Sequence, residues 1–90
     1  LEIFHRNGTQ STLKLDSPLL RVGRSPDNDL ILDDHEVSGH HLEIYATEAG
    51  FMVRDLGSAN GTSIGGQPIA ETLLRSGDEI TLGGTVLRIS

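Results

Sequence analysis

Cysteine is absent from the chain. That excludes a disulfide framework and any thiolate metal site, and it suits a reducing compartment. Aromatic residues are scarce: Phe4, Tyr45 and Phe51 are the whole set, too few for a platform on which nucleic-acid bases stack. Positive charge is scarce as well. Seven Lys and Arg stand against thirteen Asp and Glu, for a formal net charge of −6. General nucleic-acid binders draw affinity from neutralising many phosphates, so this balance argues against that class. A site for a single phosphate group needs only a local cluster and stays open. No apolar run approaches the roughly 20 residues of a membrane helix, and no cationic-then-apolar signal segment opens the sequence. The expectation is therefore no membrane contact and a cytoplasmic location. The chain starts at Leu1 and is expected to be one domain, residues 1–90, taken from a longer protein. A chain of 90 residues buries roughly 60–65% of its unfolded surface. With so few aromatics, its core must be built from Leu, Ile and Val.

What the sequence does contain is short alternating runs separated by turn formers. Leu1–His5 reads as a strand and Arg6-Asn7-Gly8-Thr9 as a hairpin turn. Thr12–Asp16 alternates polar and apolar residues, as a half-buried strand does. Leu19–Gly23 is the next strand, followed by the turn-rich loop Ser25-Pro26-Asp27-Asn28-Asp29. Leu30-Ile31-Leu32 reads as a short buried strand and Asp33–Glu36 as exposed. His41–Ala46 and Phe51–Leu56 alternate on either side of a turn at Glu48-Ala49-Gly50. Beyond the loop Gly57–Thr62 come short segments with turns at Gly65-Gly66, Ser76-Gly77-Asp78 and Gly83-Gly84. No stretch carries a helical period. Strands spaced every eight to twelve residues predict an all-β sandwich or barrel.

Three features carry chemistry. Arg24, after Gly23, offers a planar fork of donors that grips two phosphate oxygens at once; the bland alternative is a surface ion pair with Asp27 or Asp29. Ser38 has a hydroxyl able to donate to an oxyanion; the alternative is a turn serine bonded to its own backbone. Asn60, in the glycine-rich loop, both donates and accepts and can clamp an extended backbone, against the alternative of a plain hairpin turn. His40 and His41 point to opposite faces, so only one can be buried. Strict alternation groups His40 with Leu42 and Ile44, although parity is weakest at the first residue of a strand. A metal site drawn from His35, His40 or His41 with Asp33, Asp34 and Glu43 lacks a ligand spacing such as His-Glu-x-x-His. No metal or cofactor is expected. A serine nucleophile would need a base and a Gly-x-Ser-x-Gly elbow, and neither is complete, so no enzyme is expected.

In order and spacing these segments resemble the forkhead-associated (FHA) domain. The pattern is Gly23-Arg24, Ser38-x-x-His41, Asp55-Leu56-Gly57-Ser58-x-Asn60-Gly61-Thr62 and Gly77-Asp78. The resemblance implies a β-sandwich of about eleven short strands with ligand-binding loops at one end. It implies a non-enzymatic module that recognises phosphothreonine in an extended peptide of a partner protein, a Ser/Thr kinase substrate, through basic groups that meet a dianion. Carried over, Arg24 is the phosphate-gripping arginine, Ser38 the hydroxyl donor and Asn60 the residue that bonds the peptide backbone. Gly23 and Gly61 shape loops, and His41 ties the serine loop to its neighbours without touching ligand. The resemblance also implies a small pocket for the threonine methyl group, worth at least ~0.8 kcal/mol for one buried methyl.

The chain departs from that pattern at three places. Gly39 stands where many members carry a basic or amide residue that reaches the phosphate, so it contributes backbone only. Ala59 stands where members place Ser or Thr beside the asparagine. Gly65-Gly66 replaces a second Asn-Gly. A charge-assisted hydrogen bond is worth ~1.5–3 kcal/mol, so losing one or two would weaken binding roughly ten- to a thousand-fold. These departures motivate an alternative, a degenerate FHA scaffold that binds a protein without phosphate. Nearby Asp27, Asp29, Asp33, Asp34 and Glu36 would repel a dianion unless they point away or pair with Arg21 or Arg24.

Overall fold

The alternating runs become eleven strands in a computed structural model that describes residues 1–90 and contains no helix. They are β1 (Glu2–Phe4), β2 (Gln10–Thr12), β3 (Leu19–Gly23), β4 (Leu30–Ile31), β5 (Leu42–Thr47), β6 (Gly50–Asp55), β7 (Ser63–Ile64), β8 (Gln67–Pro68), β9 (Glu71–Leu73), β10 (Glu79–Leu82) and β11 (Thr85–Arg88). One sheet runs β2-β1-β11-β10-β7-β8 and the other β4-β3-β5-β6-β9. Pairing is antiparallel apart from the β3–β4 pair, which is parallel. The two sheets face each other across a cluster of 13 buried residues, all Leu, Ile or Val. Ile3, Ile44, Val53, Ile80 and Leu87 are at most 2% exposed, and each such side chain contributes roughly 1.5–3 kcal/mol on burial.

The turns follow the glycines. Gly65 and Gly66 both have positive φ, 57° and 79°, the requirement of the tight two-residue turn between β7 and β8. The β1–β2 hairpin closes through Gly8, whose amide donates to the His5 carbonyl at 3.0 Å.

Three sequence expectations change and one that was open is decided. The second strand covers Gln10–Thr12 and is exposed, rather than Thr12–Asp16. The Leu13 amide carries the β1–β2 register one pair further, to the Leu1 carbonyl at 2.8 Å, and Leu13 and Leu15 still pack against the core. β4 is shorter than Leu30–Leu32 and is half open, because it lies at a sheet edge with Ile31 50% exposed while Leu32 is fully buried. Of the two histidines, His41 is the buried one, at 0% exposure, and His40 is exposed. The β5 ladder begins only at Leu42, so His41 precedes the alternation and turns inward beside Leu42. Finally, Asp34 is only 1% exposed, because partners from the opposite sheet enclose it.

Four connections gather at one end of the sandwich: Arg24–Asp29, Leu32–His41, Leu56–Thr62 and the Gly83-Gly84 hairpin. Hydrogen bonds between them show the convergence. Arg24 donates its amide to Ser38, Ala59 to Ser38, Asn60 its side chain to Glu36, and Gly84 its amide to Asp34.

Candidate functional site

The close approach of the first two loops depends on Gly23. A Cβ there would lie 2.2 Å from the Gly39 carbonyl oxygen, so a side chain would force the loops apart. With glycine, two consecutive amides bond two consecutive carbonyls: Arg24 N to Ser38 O and Ser25 N to Gly39 O, both at 3.0 Å. Asn28 reinforces the junction. Its Nδ2 donates to Ser25 O at 2.9 Å and Gly39 O at 2.7 Å, and its buried Oδ1 has no partner within the chain.

The guanidinium of Arg24 is exposed and makes no hydrogen bond or ion pair with the rest of the chain. The acids that could have neutralised it are engaged elsewhere. Asp27 pairs with His40 at 3.0 Å, and Asp29 accepts the Arg21 amide at 2.8 Å. The hydrogen bond to His40 holds the Asp27 carboxyl below its usual range. Arg24 therefore presents an uncompensated positive charge to solvent.

Ser38 is held on two sides. Its amide donates to His41 Nδ1 at 3.0 Å, and its Oγ accepts the Ala59 amide at 3.0 Å. Because the hydroxyl oxygen already accepts, its proton is left to donate outward. His41 Nε2 donates to the Gly61 carbonyl at 2.9 Å. With Nδ1 accepting and Nε2 donating, the ring is the neutral Nε2–H tautomer. Asp55 Oδ1, 3.9 Å away, is thus a neighbour rather than an ion-pair partner. One buried imidazole joins the Ser38 loop to the Asn60 loop, and that is where the structure puts the His41 expected to be structural.

The Asn60 loop is folded on Asp55. Its carboxylate accepts from Gly57 N and Ser58 N at 2.9 Å, Ser58 Oγ at 2.6 Å and Thr62 Oγ1 at 2.7 Å. Partial burial pushes this carboxyl up, but the bonds from Ser58 and Thr62 outweigh it and hold the group below its usual range. Gly61 adopts φ 83° to close the loop, which a side chain would resist. Asn60 Nδ2 donates to the Glu36 carbonyl at 2.9 Å, so its Oδ1 faces outward as a free acceptor. A polar cleft of about 370 Å³ opens beside it, walled by Glu36, Thr62, Ser63 and Thr81 with no hydrophobic residue.

Sequence reading named Asp34 only as an exposed acid and a metal candidate, and missed its structural role. It accepts from Glu36 N at 3.0 Å, Gly84 N at 2.9 Å, Thr85 Oγ1 at 2.8 Å and Arg6 Nη1 at 3.2 Å. Burial pushes the carboxyl up, yet the four donors prevail and hold it below its usual range. Arg6 also pairs with Glu36. No local pattern announces this role, because two of the partners lie about fifty positions further along. Asp34 ties the serine loop to the β10–β11 hairpin and to the first hairpin.

Arg24, Ser38, Gly39, Ala59 and Asn60 are thus carried on loops bonded to one another. Ala59 enters through its amide, which supports Ser38. No three of the histidines and acids lie close enough to hold a metal ion: Asp34 faces Thr85, His41 faces Gly61 and His40 faces Asp27.

Residues 20–83 match the FHA domain family. The chain belongs to that family. Among curated relatives, this FHA domain is 41% identical over 73 residues to the glycogen accumulation regulator GarA of Mycolicibacterium smegmatis, an alignment covering 81% of this chain and 46% of that protein. It is 44% identical over 69 residues to the oxoglutarate dehydrogenase inhibitor of Corynebacterium efficiens, covering 77% and 49% respectively. The chain spans about half the length of these relatives. Among solved structures, the FhaA FHA domain complexed with the intracellular domain of Rv3910 superposes with TM-score 0.79 at 32% identity, covering 94% of this chain and 91% of that one. A structure from a study of phosphothreonine-dependent FHA domain interactions superposes with TM-score 0.78 at 30% identity, covering 96% and 92%. The eleven-strand sandwich is accordingly an FHA sandwich, with its interconnected loops at one end.

Proposed function

We propose that this FHA domain binds a phosphothreonine-bearing segment of a partner protein and performs no chemistry on it, as a module of a longer protein. The observation that carries the reading is the uncompensated guanidinium of Arg24 beside Ser38, whose hydroxyl oxygen is already occupied as acceptor and whose proton is left to donate. A phosphate dianion supplies the acceptors that these groups lack. Arg24 grips it bidentately, Ser38 donates to a third oxygen, and the Gly39 amide, which makes no hydrogen bond within the chain, adds a backbone donor. Asn60 Oδ1 accepts an N–H of the extended peptide. Ala59, Gly23, Gly61 and His41 hold those groups in place. The engagement of Asp27 and Asp29 supports the reading, since neither carboxylate competes for Arg24. The solved relative studied for phosphothreonine-dependent interactions and the relatives named as regulators support the class of function. The same reading places the domain in the cytoplasm, where kinases supply phosphothreonine.

Titration of a degenerate phosphothreonine peptide library and its unphosphorylated twin tests this. The wild-type domain is expected to select phosphorylated members. Arg24→Ala is expected to lose about a hundred-fold or more, two charge-assisted bonds at ~1.5–3 kcal/mol each, while its melting temperature is retained. Equal binding of both libraries would defeat the reading and favour the phosphate-independent scaffold.

A further inference from the structure

Gly39 carries no side chain, yet the space its side chain would enter is occupied. A Cβ on Gly39 would come within 2.8 Å of Ser25 Oγ and 3.9 Å of Ser25 Cβ. Ser25 fills that direction from the neighbouring loop. Its position is fixed by backbone: its amide donates to Gly39 O at 3.0 Å, and its carbonyl accepts from Asn28 N at 3.2 Å and Asn28 Nδ2 at 2.9 Å. The same Nδ2 holds Gly39 O at 2.7 Å. The dipeptides Arg24-Ser25 and Ser38-Gly39 therefore form one cross-braced unit.

The Ser25 hydroxyl, half-buried in this unit, has no hydrogen-bond partner in the chain. A hydroxyl offers one donor and two lone pairs, and a half-buried one without a partner gains more from a ligand than an exposed one does. The unit thus presents one guanidinium, two hydroxyls and the unpaired Gly39 amide from two adjacent strips of chain. That is a set of donors suited to the three terminal oxygens of a phosphate monoester. It exceeds what a carboxylate, with two oxygens and one charge, can satisfy.

We propose that Ser25 is a second hydroxyl donor to the phosphothreonine phosphate, occupying from the first loop the space a residue-39 side chain would otherwise take. The inference rests on the phosphothreonine reading above and adds a residue to it. It makes positions 25 and 39 interdependent. A side chain at 39 must displace the Ser25 hydroxyl from this position, and once that hydroxyl is removed it can supply the missing donor itself.

The experiment measures dissociation constants of a phosphothreonine peptide chosen from the library, its unphosphorylated form and its aspartate-substituted form. The proteins are the wild type, Ser25→Ala, Gly39→Asn and the double variant Ser25→Gly with Gly39→Asn, each with its melting temperature. Ser25→Ala is expected to weaken phosphopeptide binding about ten- to a hundred-fold, leave the other two peptides unchanged and keep the melting temperature. Gly39→Asn is expected to weaken it too, through the contact with Ser25 Oγ, and the double variant to recover to within a few-fold of wild type. Unchanged phosphopeptide affinity in Ser25→Ala overturns the proposal, as does an equal loss for all three peptides, which marks a purely structural role. Arg24→Ala separates the two levels. If binding needs Arg24 but not Ser25, only this inference falls. If the wild type does not distinguish the phosphorylated peptide, the underlying reading falls with it.

Discussion

Asp34 and Arg24 lie on the two connections that flank β4, and the fold treats their charges in opposite ways. Asp34 is 1% exposed and accepts from Arg6, Glu36, Gly84 and Thr85. Arg24 is exposed and pairs with nothing. Asp55 and Asn60 repeat the contrast within the next loop: the carboxylate collects four donors, whereas the amide keeps its oxygen free. A polar group whose partners are all internal holds a loop in shape. One whose hydrogen-bonding capacity is unmet on a surface held rigid by the first kind is available to a ligand. The two acids are the frame, and Arg24, Ser38, Gly39 and Asn60 are what the frame presents.

This comparison can be broken most forcefully at Asp34. Asp34→Ala strands the Gly84 amide and the Thr85 hydroxyl and removes a partner of Arg6, a loss of about 3 kcal/mol in stability by the usual cost of unsatisfied buried donors. Denaturant unfolding of the variant checks it. A change below about 0.5 kcal/mol, the range of ordinary surface substitutions, would show that Asp34 is not part of the frame. Arg24→Ala should show the mirror image, with stability kept and phosphopeptide affinity lost.

A smaller effect is expected at Asn60. Asn60→Ala should reduce phosphopeptide affinity roughly five- to ten-fold, the worth of one neutral hydrogen bond, with little change in melting temperature because the residue is exposed. Calorimetric titration reads the first quantity and a thermal scan the second. A large loss of stability would move Asn60 to the structural side of the contrast.

The mildest test is acid. The carboxyls of Asp34 and Asp55 are held below their usual range in the folded domain. Their contribution to stability is therefore complete above the unfolded carboxylate pKa of about 3.9 and is lost as pH falls through the lower folded values. Unfolding free energy should be level from pH 7 to about 5 with respect to these groups and decline below about 4. Asp34→Asn should make that decline shallower; an identical decline would mean that the Asp34 charge has no stabilising partner set.

Much of the architecture was legible because its signals are local. Gly8, Gly65 and Gly83 marked their turns, and the alternation in His41–Ala46 marked a strand, Leu42–Thr47, with Leu42 and Ile44 buried on one face. Legibility failed at Thr12–Asp16, where alternation persists past the end of the strand, and at Leu30–Leu32, where an edge strand ends one residue early. For the candidate site, Arg24, Ser38 and Asn60 were legible from motif order. That Ala59 supports Ser38 through its amide was not, because a backbone contact leaves no mark on residue type. Nor was Ser25, whose place beside Gly39 arises from two loops that meet only in the fold.

The sequence by itself determined the all-β class, the Leu, Ile and Val core, the turn positions and the residue types able to meet a phosphate. Those follow from composition and from patterns a few residues long. Only the tertiary structure decided that His41 and not His40 is buried, that Asp34 is a frame residue and that the nearby acids leave Arg24 unpaired. The reason is physical: each depends on which donors and acceptors arrive from distant segments, and burial makes those partnerships decisive.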